Sequence, residues 1–120
     1  MFSVHVTTSF NAVHAVTIRG EDETPHSHNW KVEVVIEGET LDEDGVLIDF
    51  LEVEGQLETI IEPLAESNLN TIDTLESKNP SAEQVAQYVG DALSKQIRGN
   101  VRVQSVTITE ATHCKATYSL

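Results

Sequence analysis

Polar and apolar residues alternate from Phe2 to Ala12, with Phe2, Val4, Val6, Thr8 and Phe10 on one parity and Ser3, His5, Thr7 and Ser9 on the other. A period of two predicts a strand with one apolar face. A second alternating run, from about His28 to Ile36, predicts a second strand. Between them Arg19 to Pro25 combines Gly20, a run of acids and a proline, the composition of a polar loop. Glu39 to Asp44, bracketed by Gly38 and Gly45, reads as a turn, and Val46-Leu47-Ile48 is a short apolar piece ahead of a helix.

The period then changes. Asp49 is placed as an N-cap, and Phe50, Val53, Leu57, Ile60, Ile61 and Leu64 follow helical spacing. Glu52, Glu54, Glu58, Glu62 and Glu66 fall largely off that stripe, as on an ordinary solvated face. Gly55 weakens this helix by about 1 kcal/mol relative to Ala, for no reason visible in the sequence. Ser67 to Asn79 is rich in Asn, Thr, Ser and Asp and reads as a loop. After Asn79-Pro80, Ser81 and Gln84 have the spacing of a capping box, and Ala82, Val85, Ala86, Val89, Ala92, Leu93 and Ile97 form the stripe of a second helix that Gly99-Asn100 ends. Val101, Val103, Val106 and Ile108 predict a third strand with an irregularity near Gln104-Ser105, and Ala116 to Ser119 a fourth.

The order β-β-α-α-β-β predicts a single α+β domain over residues 1–120, an antiparallel four-stranded sheet with two helices between its second and third strands. Such a sheet leaves a face and its edges uncovered, and a ring of subunits would solve both problems.

The candidate chemistry sits on the first two strands. His26 and His28 flank Ser27, and residues two apart on a strand point to one side, roughly 6–7 Å apart. If the two runs pair as a hairpin across Ala15 to Pro25, His14 lands beside them. Three imidazoles with no fourth protein ligand is the pattern of a catalytic zinc, which keeps one corner for water or substrate. The alternative is three unrelated polar strand residues.

Composition narrows the partners. Lys and Arg total 7 against 20 Asp and Glu in 120 residues, a formal net charge of −13. This argues against nucleic acid and anionic membranes, both of which need a cationic surface. The single cysteine, Cys114, allows no internal disulfide and fits a reducing cytoplasm. The N-terminus has no basic leader before an apolar block and no run approaches a membrane span, so a soluble cytoplasmic protein is expected.

Several motifs, taken in order, resemble the 6-pyruvoyl-tetrahydropterin synthases and their bacterial relatives, the 6-carboxy-tetrahydropterin synthases. Phe10-Asn11-Ala12-Val13-His14 is similar to the family's Phe-Ser-Ala-Ala-His, and His26-Ser27-His28-Asn29-Trp30 to its His-Gly-His-Asn-Tyr. Gly45 to Phe50 resembles Gly-x-x-x-Asp-Phe, Leu69-Asn70 the family's Leu-Asn, Asn79-Pro80-Ser81-Ala82-Glu83 its Asn-Pro-Thr-Ser-Glu, and Thr109-Glu110 its Lys-Glu-Thr. The resemblance implies the tunnelling fold, trimers paired into a homohexamer, Zn2+ on His14, His26 and His28, a small pterin-like substrate, and Glu110 as the anchor for the pterin. A carboxylate suits that last task because it accepts two parallel hydrogen bonds, here from a ring N–H and an exocyclic amine.

The family's proton-transfer residues are replaced. Asp22, between Glu21 and Glu23, stands where the bacterial relatives have a cysteine, and Ala65-Glu66 stands for an Asp-His pair. One reading is a zinc lyase on a dihydroneopterin-type substrate, with Asp22 or Glu23 as base and Glu66 in place of the histidine. A carboxylate near zinc titrates low unless desolvated, which makes it a weak base at neutral pH. The alternatives are an inactive zinc- and pterin-binding homologue and a zinc that merely staples the hairpin. Arg19 is the one cation in the loop before the histidine pair, and Lys31 faces away by alternation, which weighs against a triphosphate substrate. His113 is expected to lie at the surface, and Cys114 does not correspond to the missing cysteine.

Overall fold

The two alternating runs pair along their whole length. A computed structural model describes residues 1–75 and 78–120. Its elements are β1 (Phe2–His14), β2 (Thr17–Ile18), β3 (Glu21–Asp22), β4 (His26–Gly38), α1 (Phe50–Ile61), β5 (Ser67–Asn68), α2 (Ala82–Ser94), β6 (Val101–Ala111) and β7 (Cys114–Ser119), with a 3-10 turn at Asp73–Leu75. β1 and β4 are antiparallel, in register from Phe2 opposite Gly38 to His14 opposite His26.

The long strands lie in the order β1-β4-β6-β7, all antiparallel, and the chain is α+β. The expected four strands become five, because β5 adds to the outer edge of β1 in parallel. Two residues carry no periodicity to read. β5 is held instead by backbone bonds, Glu66 N–H to the Asn11 carbonyl at 2.7 Å and Leu69 N–H to that of Val13 at 2.8 Å. Glu66 makes the necessary turn in the left-handed region, at φ 57°. The expected polar loop also gains structure, since β2 and β3 form a small antiparallel ribbon with Arg19-Gly20 at its tip. Residues 76 and 77 of the expected Ser67–Asn79 loop lie outside the described residues.

The irregularity near Gln104 is a bulge: pairing with β4 steps from Val35–Ser105 to Ile36–Val103. One extra residue lets Val103 and Val106 both face the core, where both are buried.

The helices cover the sheet face that carries Val6, Phe10, Trp30, Val34, Ile36, Val106 and Ile108. α1 contributes Val53, Leu57, Ile60 and Ile61, and α2 contributes Val85, Ala86, Val89 and Leu93. Each of the valine, leucine and isoleucine side chains contributes about 1.5–3 kcal/mol through burial. Asp49 caps α1 by accepting from Leu51 N–H at 2.9 Å, and Ser81 caps α2 by accepting from Gln84 N–H at 3.2 Å. Only half of the expected capping box forms, because Ser81 N–H is spent on the Asn79 carbonyl. Phe50, expected in the α1 stripe, is 56% exposed, because the first turn precedes the helix's buried contacts, which begin at Val53. It borders a concavity of about 790 Å3 with Leu41 and Val46, at the Gly38 end of the sheet. Nothing in the structure explains Gly55.

The other sheet face is polar, with Thr7, Ser9, Lys31, Glu33, Thr107, Thr109 and Lys115 lining a shallow depression. Among the described residues, the edge of β1 from Phe2 to Asn11 and the free edge of β7 have no strand partner, and no helix is long and apolar enough to cross a membrane.

Candidate metal centre

Strict alternation brings the chemistry to one place. On β1 the core-facing parity runs Val6, Phe10, Ala12 and ends in His14; on β4 it begins with His26 and His28 and continues into Trp30, Val32 and Val34. On β6 the same face carries Val106 and Ile108 and ends in Glu110. The apolar face of the sheet thus terminates in three imidazoles and a carboxylate. Their ligating atoms all lie within 4.8 Å of one another.

Backbone carbonyls orient two of the rings. His14 Nδ1 donates to the Pro80 carbonyl at 2.8 Å, and His26 Nδ1 donates to that of Thr24 at 2.8 Å. A neutral imidazole has one N–H, so each Nε2 is left with a lone pair. This is how metal-binding histidines are held, with the outer nitrogen tied to a carbonyl and the inner one free. His14 Nε2 and His28 Nε2 are buried without a hydrogen-bond partner. Buried polar atoms rarely go unsatisfied, so the donor set fits a cation. Three imidazoles and one carboxylate suit zinc in softness and number.

Trp30 is the floor. It is fully buried, stacks on Phe10 with ring centroids 6.1 Å apart, and meets His14 edge-on at 4.6 Å. Its Nε1 donates to the Ala12 carbonyl at 3.2 Å, so its polar atom is satisfied. Burial holds the His28 imidazole below its ordinary pKa; Glu110 pulls the other way, and His26 and His14 add to the lowering.

The expected site residues fall into three groups. His14, His26, His28 and Glu110 meet. Glu23 sits at the margin: it is among the charges that act on His28, and its Oε1 accepts from Val16 N–H at 2.9 Å. Asp22 lies on the ribbon, its Oδ1 accepting from the Thr17 hydroxyl at 2.6 Å, and Glu66 is exposed beside β1. Neither belongs to the ligand cluster. His113 and Cys114 are exposed at the β6–β7 turn.

Two asparagines, present in the sequence motifs without a role, secure the approach to the cluster. Asn70 accepts from Ala15 N–H and donates to the Ala15 carbonyl, both at 2.8 Å. Asn79 does the same to Thr17, both bonds at 2.9 Å. Each amide imitates a strand neighbour. Together they fasten the segment that joins His14 to the acidic ribbon, and the residue after Asn79 supplies the carbonyl that orients His14.

The profile of a family described as 6-pyruvoyl tetrahydropterin synthase matches residues 3–120. A dihydroneopterin monophosphate aldolase of Pyrococcus furiosus is 33% identical over 102 residues, 85% of this chain and 83% of that protein. The 6-pyruvoyl tetrahydropterin synthase of Caenorhabditis elegans superposes with a TM-score of 0.86 at 19% identity, covering 98% of this chain and 94% of that one. A Plasmodium vivax 6-pyruvoyltetrahydropterin synthase in which a catalytic glutamate is replaced by alanine superposes at 0.82 with 20% identity, covering 98% and 96%.

Proposed function

The chain belongs to the 6-pyruvoyl tetrahydropterin synthase family, and from that premise we propose that it is a zinc-dependent lyase cleaving the side chain of a dihydroneopterin-type substrate. The observation that carries the reading is the convergence of ring nitrogens of His14, His26 and His28 within 4.8 Å of one another, with Glu23 at the margin. The name of the Pyrococcus furiosus relative supports aldol cleavage, and the Plasmodium vivax variant shows a glutamate named as catalytic in this fold.

A zinc ion on the three imidazoles supplies Lewis acidity and makes a side-chain hydroxyl easier to deprotonate. Glu23 takes that hydroxyl's proton. The bond between the two hydroxyl-bearing carbons nearest the ring then breaks, leaving an aldehyde on the departing fragment. The electron pair passes to the ring-side carbon and is shared with the conjugated C=N of the dihydropterin. Glu23 returns its proton there. The products are a hydroxymethyl-dihydropterin and a small aldehyde. Glu110 accepts from the pterin's ring N–H and exocyclic amine, which sets which end of the substrate faces the histidines. Asp22 serves the ribbon through Thr17, and Glu66 is the remaining candidate for a second proton-transfer group.

The reading includes a reducing cytoplasm and a dimer of trimers, the latter because the open edges of β1 and β7 are complementary in kind. Zinc-loaded protein incubated with dihydroneopterin, its monophosphate and its triphosphate, followed by chromatography, tests the activity. Hydroxymethyl-dihydropterin is expected from the first two. Glu23→Gln should lower kcat by about 10²–10⁴-fold, the range of a general base, while Asp22→Asn stays near wild type. No product from any of the three substrates would leave the second reading, a binding homologue without turnover, which the nearness of Glu110 to the cluster favours.

A further inference from the structure

Glu110 stands in the wrong place to be only a pterin anchor. Its Oε1 is 2.6 Å from His14 Nε2 and 3.2 Å from His28 Nε2. With His14 Nδ1 directed at the Pro80 carbonyl, Nε2 faces the carboxylate oxygen and makes no hydrogen bond with it. A metal cation held between them would satisfy both atoms. Ligand atoms about 2.0–2.2 Å from a tetrahedral zinc lie ~3.4 Å from one another, which matches the 3.2 Å contact with His28, while the 2.6 Å contact with His14 would have to open as an ion entered.

The chemistry of the substrate class sharpens the conflict. In a dihydropterin the N–H pair lies on the pyrimidine edge, and the hydroxylated side chain leaves the other ring. When the side-chain oxygens lie among the histidines, that edge is two fused rings away. A Glu110 carboxylate lodged against His14 and His28 does not reach it.

From these contacts we infer that Glu110 is an exchangeable fourth ligand: it closes the metal's open corner in the resting protein, and the substrate's side chain displaces it. The inference rests on the pterin reading only for the identity of the displacing ligand. Glu110 is suited to both states. Its side chain is 26% exposed, near the 23% of His28, whereas His14 is wholly buried. It sits at the end of β6, one residue before the turn into β7, and is the one member of the cluster carried by that strand. Two imidazoles tied to backbone carbonyls, at His14 and His26, contrast with a carboxylate at a strand terminus that no such bond holds. Closure by Glu110 keeps water off the metal until a reduced pterin arrives. Release frees the same carboxylate for the pterin's N–H pair.

Cobalt(II) in place of zinc makes the ligand set visible without turnover. Wild-type protein loaded with Co2+ should give a four-coordinate visible spectrum that holds steady between about pH 7 and pH 9. Glu110→Gln and Glu110→Ala should each put water in that corner, and their spectra should change over the same range as metal-bound water ionises near pH 7. Co2+ affinity should fall by about 10- to 100-fold, the scale of a lost contact at a metal site. Adding 7,8-dihydroneopterin to the wild type should shift its spectrum. Far-UV circular dichroism checks that both variants fold, and recovery of a pH-steady spectrum in Glu110→Asp would support a carboxylate ligand. Spectra and affinities in Glu110→Gln and Glu110→Ala that match wild type would overturn the ligand role. A wild-type spectrum unmoved by saturating dihydroneopterin would overturn the exchange. Failure to cleave dihydroneopterin would sink the lyase reading alone, since none of these signals depends on products.

Discussion

The two ends of β4 share a face and a register but do opposite work. At one end Ile36 and Val34 are fully buried in the apolar core under the helices. At the other, His28 and His26 continue the same alternation into the cluster with His14 and Glu110, where His28 Nε2 is buried without a hydrogen-bond partner. Trp30 marks the change, with an aromatic body in the core and its edge against the histidines. The difference teaches that the site is an extension of the core, built on its longest strands, and that a shared cation would satisfy polar atoms that the protein leaves without partners. Stability and function should therefore separate along a single strand.

The largest effects test that separation. His14→Ala should abolish turnover and stoichiometric zinc binding, measured by metal analysis after dialysis. It should also remove the increase in thermal midpoint expected when zinc is added to the wild type, an effect worth about 2.7 kcal/mol at a zinc concentration of 100 Kd. Ile36→Ala should do the reverse. It should cost about 2–5 kcal/mol of unfolding free energy in denaturant titrations and retain zinc at full stoichiometry. Zinc lost from the Ile36 variant while it is still folded would mean that the two ends are not independent.

The same division governs what the sequence makes legible. The long strands and the shared face of His14, His26 and His28 follow from parity alone, and the bulge follows from Val103 and Val106 being three apart where alternation needs two. The three imidazoles raise the zinc expectation, and the family motifs add the pterin. Glu110 has the right parity too, but its contact with His14 depends on how β6 registers against β4 across an intervening pair of helices, which no local pattern encodes. The Pro80 and Thr24 carbonyls that orient the rings leave no trace in a side-chain pattern. β5 and the β2–β3 ribbon are missed for a related reason: left-handed residues at Glu66 and Arg19, together with two asparagine amides, make them, and none of these is periodic.

Those amides give a smaller, local prediction. Asn79→Ala removes both bonds to Thr17 from an exposed position and should cost about 1 kcal/mol, since a single hydrogen bond nets about 0.5–1.5 kcal/mol. Its effect should be concentrated in the approach to the cluster: faster amide hydrogen exchange across residues 15–23, with the Val34 and Ile36 amides unchanged. Asn70→Ala should loosen the Ala15 side in the same way. Exchange that quickens equally in β4 would show that the clips support the whole fold and not the ribbon.

The smallest effect is a slope. In the folded, metal-free protein His28 titrates below its ordinary value of 6.5, chiefly because burial disfavours the cation. Above that value both the folded and the unfolded chain carry a neutral ring, and His28 does not alter stability. As the pH falls through 6.5 the unfolded chain takes the proton first, so unfolding is favoured progressively until the folded ring is also protonated. The thermal midpoint of metal-free protein should therefore drop on acidification from about pH 7.5 to about pH 5, within the range where histidine titrates. His28→Gln should flatten that drop. Ile36→Val should lower the midpoint at every pH and leave the slope intact, because it changes packing and no titrating group. Zinc should raise the midpoint near neutrality and lose its effect as protons displace it from the imidazoles. If His28→Gln keeps the wild-type slope, the proton uptake belongs elsewhere, and the histidine end of β4 differs from the isoleucine end in metal binding alone.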